Sequence, residues 1–205
     1  MRLALLGPAD SNVAMLARAA ATALERLAAD RVIYLGGDDA LDRLVYEWAR
    51  MMGVEHSLVD RLEGDDGGIL AGDEAAILAE VERERARRRL LSLRTLEGPG
   101  TRALEILNER VVVLVDDKSV LDEEDLLPAT IIAFGKGDKV IRRVGTRVFV
   151  APGHPANGTE GLALLDEGEG AVGITVTLHD VDGAITQRDF VETSRSAKLK
   201  VHGAV

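Results

Sequence analysis

The stretch IIAFGKGDKVIRRVG (131–145) sets an ammonium and a carboxylate, Lys136 and Asp138, in a four-residue glycine turn between two strand-like runs. Strand, glycine turn, strand is a common setting for reactive side chains, because rigid strands fix a short exposed loop. The turn is not a phosphate loop: that motif needs Gly-x-x-x-x-Gly-Lys-Ser/Thr opening a helix, whereas this turn opens a strand. Other polar groups sit at similar breaks. GPADSN (7–12) carries Asp10 and Asn12, LGGD (35–38) carries Gly37 and Asp38, and VDD (115–117) carries Asp116 and Asp117. The chain has no cysteine, which excludes disulfides, thiol catalysis and cysteine-ligated zinc. His56, His179 and His202 have no partner histidine at ligand spacing, so a histidine-built metal site is not expected. His154 follows Pro152-Gly153 and reads as a turn or surface histidine. Ser11 stands in no nucleophile motif, and helix capping accounts for it better.

Short elements must position these turns. Residues 2–6 read as a buried first strand broken by Gly7-Pro8. Asp10, Ser11 or Asn12 then caps a helix through VAMLARAAATALERLAA. RVIYLGG (31–37) is a second buried strand, and DDALDRLVYEWARMMG a second helix, opened by Asp38 or Asp39 and stopped by Gly53. Strand and helix alternating at this spacing predict βαβ units and a parallel sheet. RLEGDDGGILAGDE (61–74) is a loop rich in glycine and acid. A long helix follows over about 73–93, acidic early and arginine-rich late, with Glu84 and Arg88 spaced as a helical pair. Its charged run RERARRR suits either a solvated face or a partner-binding helix. From Arg110 onward strands dominate: RVVVLVDD, ATIIAFGKGD, a hairpin across Gly145, and three more strands with turns at 167–170 and at Asp182-Gly183.

The bulk composition bounds the function. At 205 residues the chain suits one domain, with 46% hydrophobic and 29% charged residues, as in soluble globular proteins. A net charge of −10 repels nucleic acid, and 3% aromatics leave few platforms for stacking bases, so no nucleic-acid role is expected. The opening apolar run is too short for a signal peptide or a membrane span, so no membrane insertion is expected and the expected location is cytoplasmic.

The order of turns resembles the compact single-domain calcineurin-like metallophosphoesterases. Their pattern runs Asp-x-His-Gly-Asn, Gly-Asp, Gly-Asn-His/Cys-Asp, His-Gly and Gly-His-Thr-His at successive strand ends, then a hairpin leading to Asn-Pro-Gly-Ser. GPADSN, LGGD, VDD and GKGD are similar to the first, second, fourth and fifth motifs, and KVIRRVGTRVFVAPGH to the hairpin with its Pro-Gly. The third motif has no counterpart between residues 61 and 109. The resemblance implies an α/β fold of two packed mixed β-sheets flanked by helices, a four-layer αββα sandwich. It implies a domain over 1–190, a divergent helical insert around 62–100 and a tail over 191–205.

Members of that family hold two divalent metals and attack a phosphoester with a metal-activated hydroxide. Carried over by position, the first aspartate becomes Pro8, the first histidine Asp10, and Asn12 is retained. The second-motif aspartate becomes Gly37, or Asp38 if one residue is inserted. The His-Gly pair becomes Asp116-Asp117, and the two histidines of the fifth motif become Lys136 and Asp138. Pro8 offers neither a carboxylate nor an N–H, and an ammonium repels a divalent ion. The resemblance therefore implies a vestigial site at these nine positions with no catalytic residue, metal or cofactor expected. Two arrangements remain open. Lys136 is an internal counter-ion held by Asp10, Asp116 and Asp138, or Asp10, Asp38, Asp116 and Asp138 form an all-oxygen site for a hard cation such as Mg²⁺, with Mn²⁺ the family's other candidate.

The expectation from sequence is a catalytically inactive metallophosphoesterase-like protein serving as a scaffold or regulatory subunit, with a protein partner or a homo-oligomer. The family offers a precedent in a subunit of the endosomal-sorting retromer complex that works through protein contacts. The alternative is a divergent metal-dependent phosphodiesterase with an aspartate-rich site.

Overall fold

A computed structural model describes residues 1–63, 74–168 and 173–192. The stretch 64–73, the turn at 169–170 and the tail from 193, with His202, lie outside the described residues.

The first strand, β1 (Arg2–Leu6), and β2 (Arg31–Tyr34) are fully apolar at their centres, as strands covered on both faces must be. They pair in parallel, Leu3 to Arg31 through Leu6 to Tyr34, around the helix α1 (Val13–Glu25). Of the three candidate caps, Asn12 is the one used: its side chain accepts from the Met15 N–H at 3.2 Å. The second helix, α2 (Ala40–Met52), starts after Asp39 and ends at Gly53 with φ +65°, a left-handed stop that glycine adopts without cost. A short α3 (Leu58–Glu63) and the long α4 (Glu74–Leu90) lead to β3 (Leu93–Thr95), which adds in parallel to β2.

The remaining strands are β4 (Ala103–Leu107), β5 (Arg110–Val115), β6 (Ala129–Phe134), β7 (Val140–Val144), β8 (Arg147–Ala151), β9 (Leu162–Asp166), β10 (Gly173–His179) and β11 (Ile185–Glu192). A 3₁₀ turn (Lys118–Val120) and α5 (Glu123–Leu126) connect β5 to β6. The strands form two mixed sheets, one of six in the order β11-β10-β9-β1-β2-β3 and one of five in the order β4-β5-β6-β8-β7. The expected α/β pair of packed mixed sheets is therefore present. The inner core lies between them, built from alternate residues such as Leu3, Leu5, Ile131, Val148 and Leu178. A second core joins the outer face of the six-stranded sheet to α1, α2 and α4 through Leu16, Tyr34, Leu41 and Leu90.

The fourth layer is thin. The outer face of the five-stranded sheet is covered by little more than the 3₁₀ turn and the four-residue α5, through Leu121 and Leu126. Leu104 and Ile106 of β4 are left 66% and 69% exposed beyond it.

The solvated reading of α4 needs revision. Glu84 and Arg88 do pair, at 3.3 Å, but Glu80 is buried. Its carboxylate is held by Arg61 at 2.7 Å and by Arg83. Burial pushes the Glu80 carboxyl upward, and these two guanidiniums more than offset that, leaving it below the usual range.

Candidate functional site

Parallel strands deliver their following turns to the same edge of a sheet, and the two sheets present those edges side by side. The turns after β1, β2, β5, β6 and β8 meet there. A methyl group on Gly7 would stand 1.7 Å from the Gly153 carbonyl oxygen, and one on Gly135 would stand 2.1 Å from the Leu35 carbonyl oxygen. These glycines are required because backbone passes against backbone where the sheets converge. The Leu35 N–H also donates to the Leu6 carbonyl at 2.8 Å, tying the first two turns together.

Tyr34 organises the first half of the cleft, and nothing in the sequence singled it out. Its ring is fully buried, its hydroxyl accepts from the Ala9 N–H at 2.9 Å, and it donates to Asp38 Oδ1 at 2.9 Å. Burial, reinforced by the Asp38 carboxylate, pushes the phenol well above its ordinary value. The other acceptor bond of Asp38 Oδ1 comes from the Ala40 N–H at 3.1 Å, which starts α2. Asp38 thus turns back to its own chain. Gly37 is the position that faces across the cleft, where a Cβ would lie 3.2 Å from Asp116 Oδ2 and 3.5 Å from Pro99 Cγ.

Asp10 and Ser11 both hold positive φ, +47° and +69°, a rare conformation for residues with side chains. The turn carries Asp10 to His154, whose Nδ1 faces the Asp10 carboxylate in an ion-pair contact. The His154 side chain is 28% exposed, so it is a partly enclosed member of the cleft and not a free surface histidine. A carboxylate at Nδ1 orients an imidazole and leaves Nε2 as the group aimed elsewhere.

The other half is built on Asp116. Its backbone carbonyl accepts from the Gly135 N–H at 3.0 Å and the Lys136 N–H at 2.7 Å, which fixes the glycine turn. Its Oδ1 accepts from the Gly100 N–H at 2.9 Å. The Gly98-Pro99-Gly100 loop after β3 therefore forms part of the wall. Asp117 caps the 3₁₀ turn by accepting from the Ser119 N–H at 2.9 Å. That bond and the Lys136 ammonium, at 2.9 Å, hold the Asp117 carboxyl down to about 2.

Lys136 is thus not the internal counter-ion of Asp10, Asp116 and Asp138. It pairs with Asp117 over the rim, with its side chain 76% exposed, while Asp10 faces His154 and Asp138 is exposed. The physical reason is hydration: an ammonium that reaches a carboxylate at the surface avoids the desolvation cost of the interior. The all-oxygen arrangement is not assembled either. One oxygen each of Asp38 and Asp116 is taken by N–H and phenol donors, and among the described residues no group of three or more His, Asp or Glu side chains is placed to hold a metal ion. The donor set does not fit a two-metal centre. Pro8 lies in the first turn with no donor or ligand atom to offer.

Of the remaining histidines, His179 is a core residue, bonded to Thr177 Oγ1 at 2.8 Å and to the Gly183 carbonyl at 3.0 Å, and His56 is exposed. No helix among the described residues is long and apolar enough to cross a membrane.

No protein-family model and no curated protein matches the chain. Among solved structures, one described as a novel archaeal phosphodiesterase is similar, with a TM-score of 0.48 and 12% identity over 81% of this chain and 93% of that one. Another is a conserved uncharacterized protein, a predicted phosphoesterase, from Streptococcus pneumoniae TIGR4, with a TM-score of 0.47 and 11% identity over 93% of this chain and 98% of that one. Likeness at this level speaks to no residue of the site.

Proposed function

We propose that this chain is a metallophosphoesterase-like protein whose cleft has lost two-metal hydrolysis, and that it works through protein contacts as a scaffold or regulatory subunit. The observation that supports this most is the commitment of the cleft carboxylates. Asp38 Oδ1 accepts from Tyr34 and Ala40, Asp116 Oδ1 accepts from Gly100, and Asp117 is bonded to Ser119 and Lys136. Among the described residues no third His, Asp or Glu is placed to share a metal with the remaining oxygens, and the nearby ammonium would repel one. A cytoplasmic location is part of the same proposal.

Isothermal titration of metal-stripped protein with Mn²⁺ and then Mg²⁺ tests it. The expected result is no saturable binding up to millimolar concentrations. Stoichiometric binding abolished by Asp116→Asn would overturn the reading.

One observation favours the hydrolytic alternative, namely the Asp10–His154 pair behind two strained residues. A phosphodiesterase run from that pair would lose its activity on a generic diester such as bis-p-nitrophenyl phosphate in His154→Ala. The scaffold reading expects no turnover in either protein.

A further inference from the structure

The feature left unexplained by the cleft is β4. It is the outermost strand of the five-stranded sheet, so one side of its backbone has no partner strand among the described residues. It joins β5 through a two-residue turn, Asn108-Glu109, with φ +45° and +61°. Such a turn makes Leu107 and Arg110 the closing hydrogen-bonded pair. By alternation Ala103 and Glu105 also bond toward β5, and the backbone groups of Leu104 and Ile106 point to the open side. The side chains of the same two residues stand opposite Val113 and Val111, on the outer face of the sheet. They are 66% and 69% exposed, with Leu127 (75%) and Val120 (38%) exposed on the connection that partly covers that face. An edge with free backbone groups, no proline and apolar side chains is a template for another strand, and β4 carries none of the usual protections on that face.

We propose that β4 pairs with β4 of a second copy of this chain, antiparallel about a two-fold axis through Glu105, so that the two five-stranded sheets become one. The inference deepens the protein-contact reading by naming the surface and the partner. Three properties of the strand fit a second copy. In this register Leu104 faces Ile106 of the other copy and Ile106 faces its Leu104, so the apolar pairs and the outward backbone groups match together. The two Glu105 side chains at the axis lie on the inner side, where each is already paired with its own Arg31 at 2.5 Å. Charge runs along the strand with Arg102, held in its own copy by Asp125 at 2.7 Å and Asp122 at 3.5 Å, at its start and Glu109 just past its end. An antiparallel arrangement brings each Arg102 beside the Glu109 turn of the other copy, and the two-fold repeats that contact.

Sedimentation equilibrium of the full chain from about 1 to 100 µM tests the pairing. The expected result is a monomer–dimer equilibrium in that range. Leu104→Lys and Ile106→Lys, on exposed positions, are expected to be monomeric throughout with unchanged far-UV circular dichroism. Glu109→Lys is expected to weaken dimerisation about tenfold. A wild-type chain that stays monomeric at 100 µM overturns the proposal, and so does a dimer that persists in both lysine variants. Neither outcome is read from metal binding, so loss of this interface and loss of the inactive-cleft reading are separately detectable.

Discussion

Tyr34 carries the cleft wall at the scale of single residues, because its hydroxyl joins the Ala9 N–H of the first turn to the Asp38 carboxylate of the second. Tyr34→Phe leaves the buried Ala9 N–H without this partner and is expected to cost about 1–3 kcal/mol in urea unfolding. The raised phenol has a pH consequence. A group that keeps its proton longer in the folded chain contributes stability that is complete below its unfolded value, near 10, and is lost as pH rises beyond it. The tyrosinate absorbance of Tyr34 is therefore expected to appear with alkaline unfolding and not before it. Asp117 has the opposite sign. Its carboxyl is held to about 2, so its contribution is complete above about pH 4 and is lost as pH falls toward 2. A carboxyl ¹³C titration should place its midpoint near 2, and Lys136→Ala should move it upward. An Asp117 midpoint near 4 in the wild type would remove the rim pair from the description.

Between elements, the telling contact is the one that fastens α3 to α4. Arg61 and Glu80 pair with their side chains only 15% and 7% exposed. Arg61→Ala would leave Glu80 with Arg83 alone and should cost about 3 kcal/mol, the low end for breaking a buried pair. Glu80→Gln should cost less, since the amide oxygen can still accept from Arg61 and the Glu84 carboxylate stays 3.8 Å from that guanidinium. The glycine turns act between elements as well. Gly135→Ala would drive a methyl group into the Leu35 carbonyl at 2.1 Å, with backbone on both sides and nothing flexible to yield. A marked loss of thermal stability is expected for it in calorimetry, whereas Gly145→Ala, at φ +59° with open space around its Cβ position, should cost only the strain of the left-handed turn.

At the scale of the whole molecule the excess of acid matters. A net charge of −10 on 205 residues makes the compact state repel itself. Raising NaCl from about 10 to 150 mM shortens the screening length from about 30 to 8 Å, so the midpoint of thermal unfolding should rise. A fall would mean that local pairs such as those around Arg61 and Arg102 outweigh the general repulsion. The two faces of the sandwich differ in the same global sense. Three helices cover one sheet, while a 3₁₀ turn and the four-residue α5 cover the other. Apolar surface on the second is available for contact, and that asymmetry would favour an interface there.

The alternation of apolar runs with capped helices was enough to place β1, α1, β2 and α2, and the Gly53 stop follows from local chemistry, whereas the cap of α1 was narrowed only to Asp10, Ser11 or Asn12 before the structure chose Asn12. The hairpin at Gly145 and the last three strands were equally legible, because period-two patterns and turn residues act within a few positions. The missed elements lacked such local signals. ALEIL alternates apolar residues on both faces, so its strand β4 and the Asn-Glu turn after it depend on β5 for their definition. The acids and Lys136 could be named as candidates from their turns. Their partners could not, since Asp10 meets His154 and Lys136 meets Asp117 across gaps of 144 and 19 positions. The sequence by itself determined the strands and helices that carry a local pattern, such as β1, α1, β2 and α2, because each of these needs only its neighbours' propensity and spacing. Tertiary structure alone decided which carboxylate meets which donor, because that choice is made by the approach of two sheets and by whether an ammonium keeps its water.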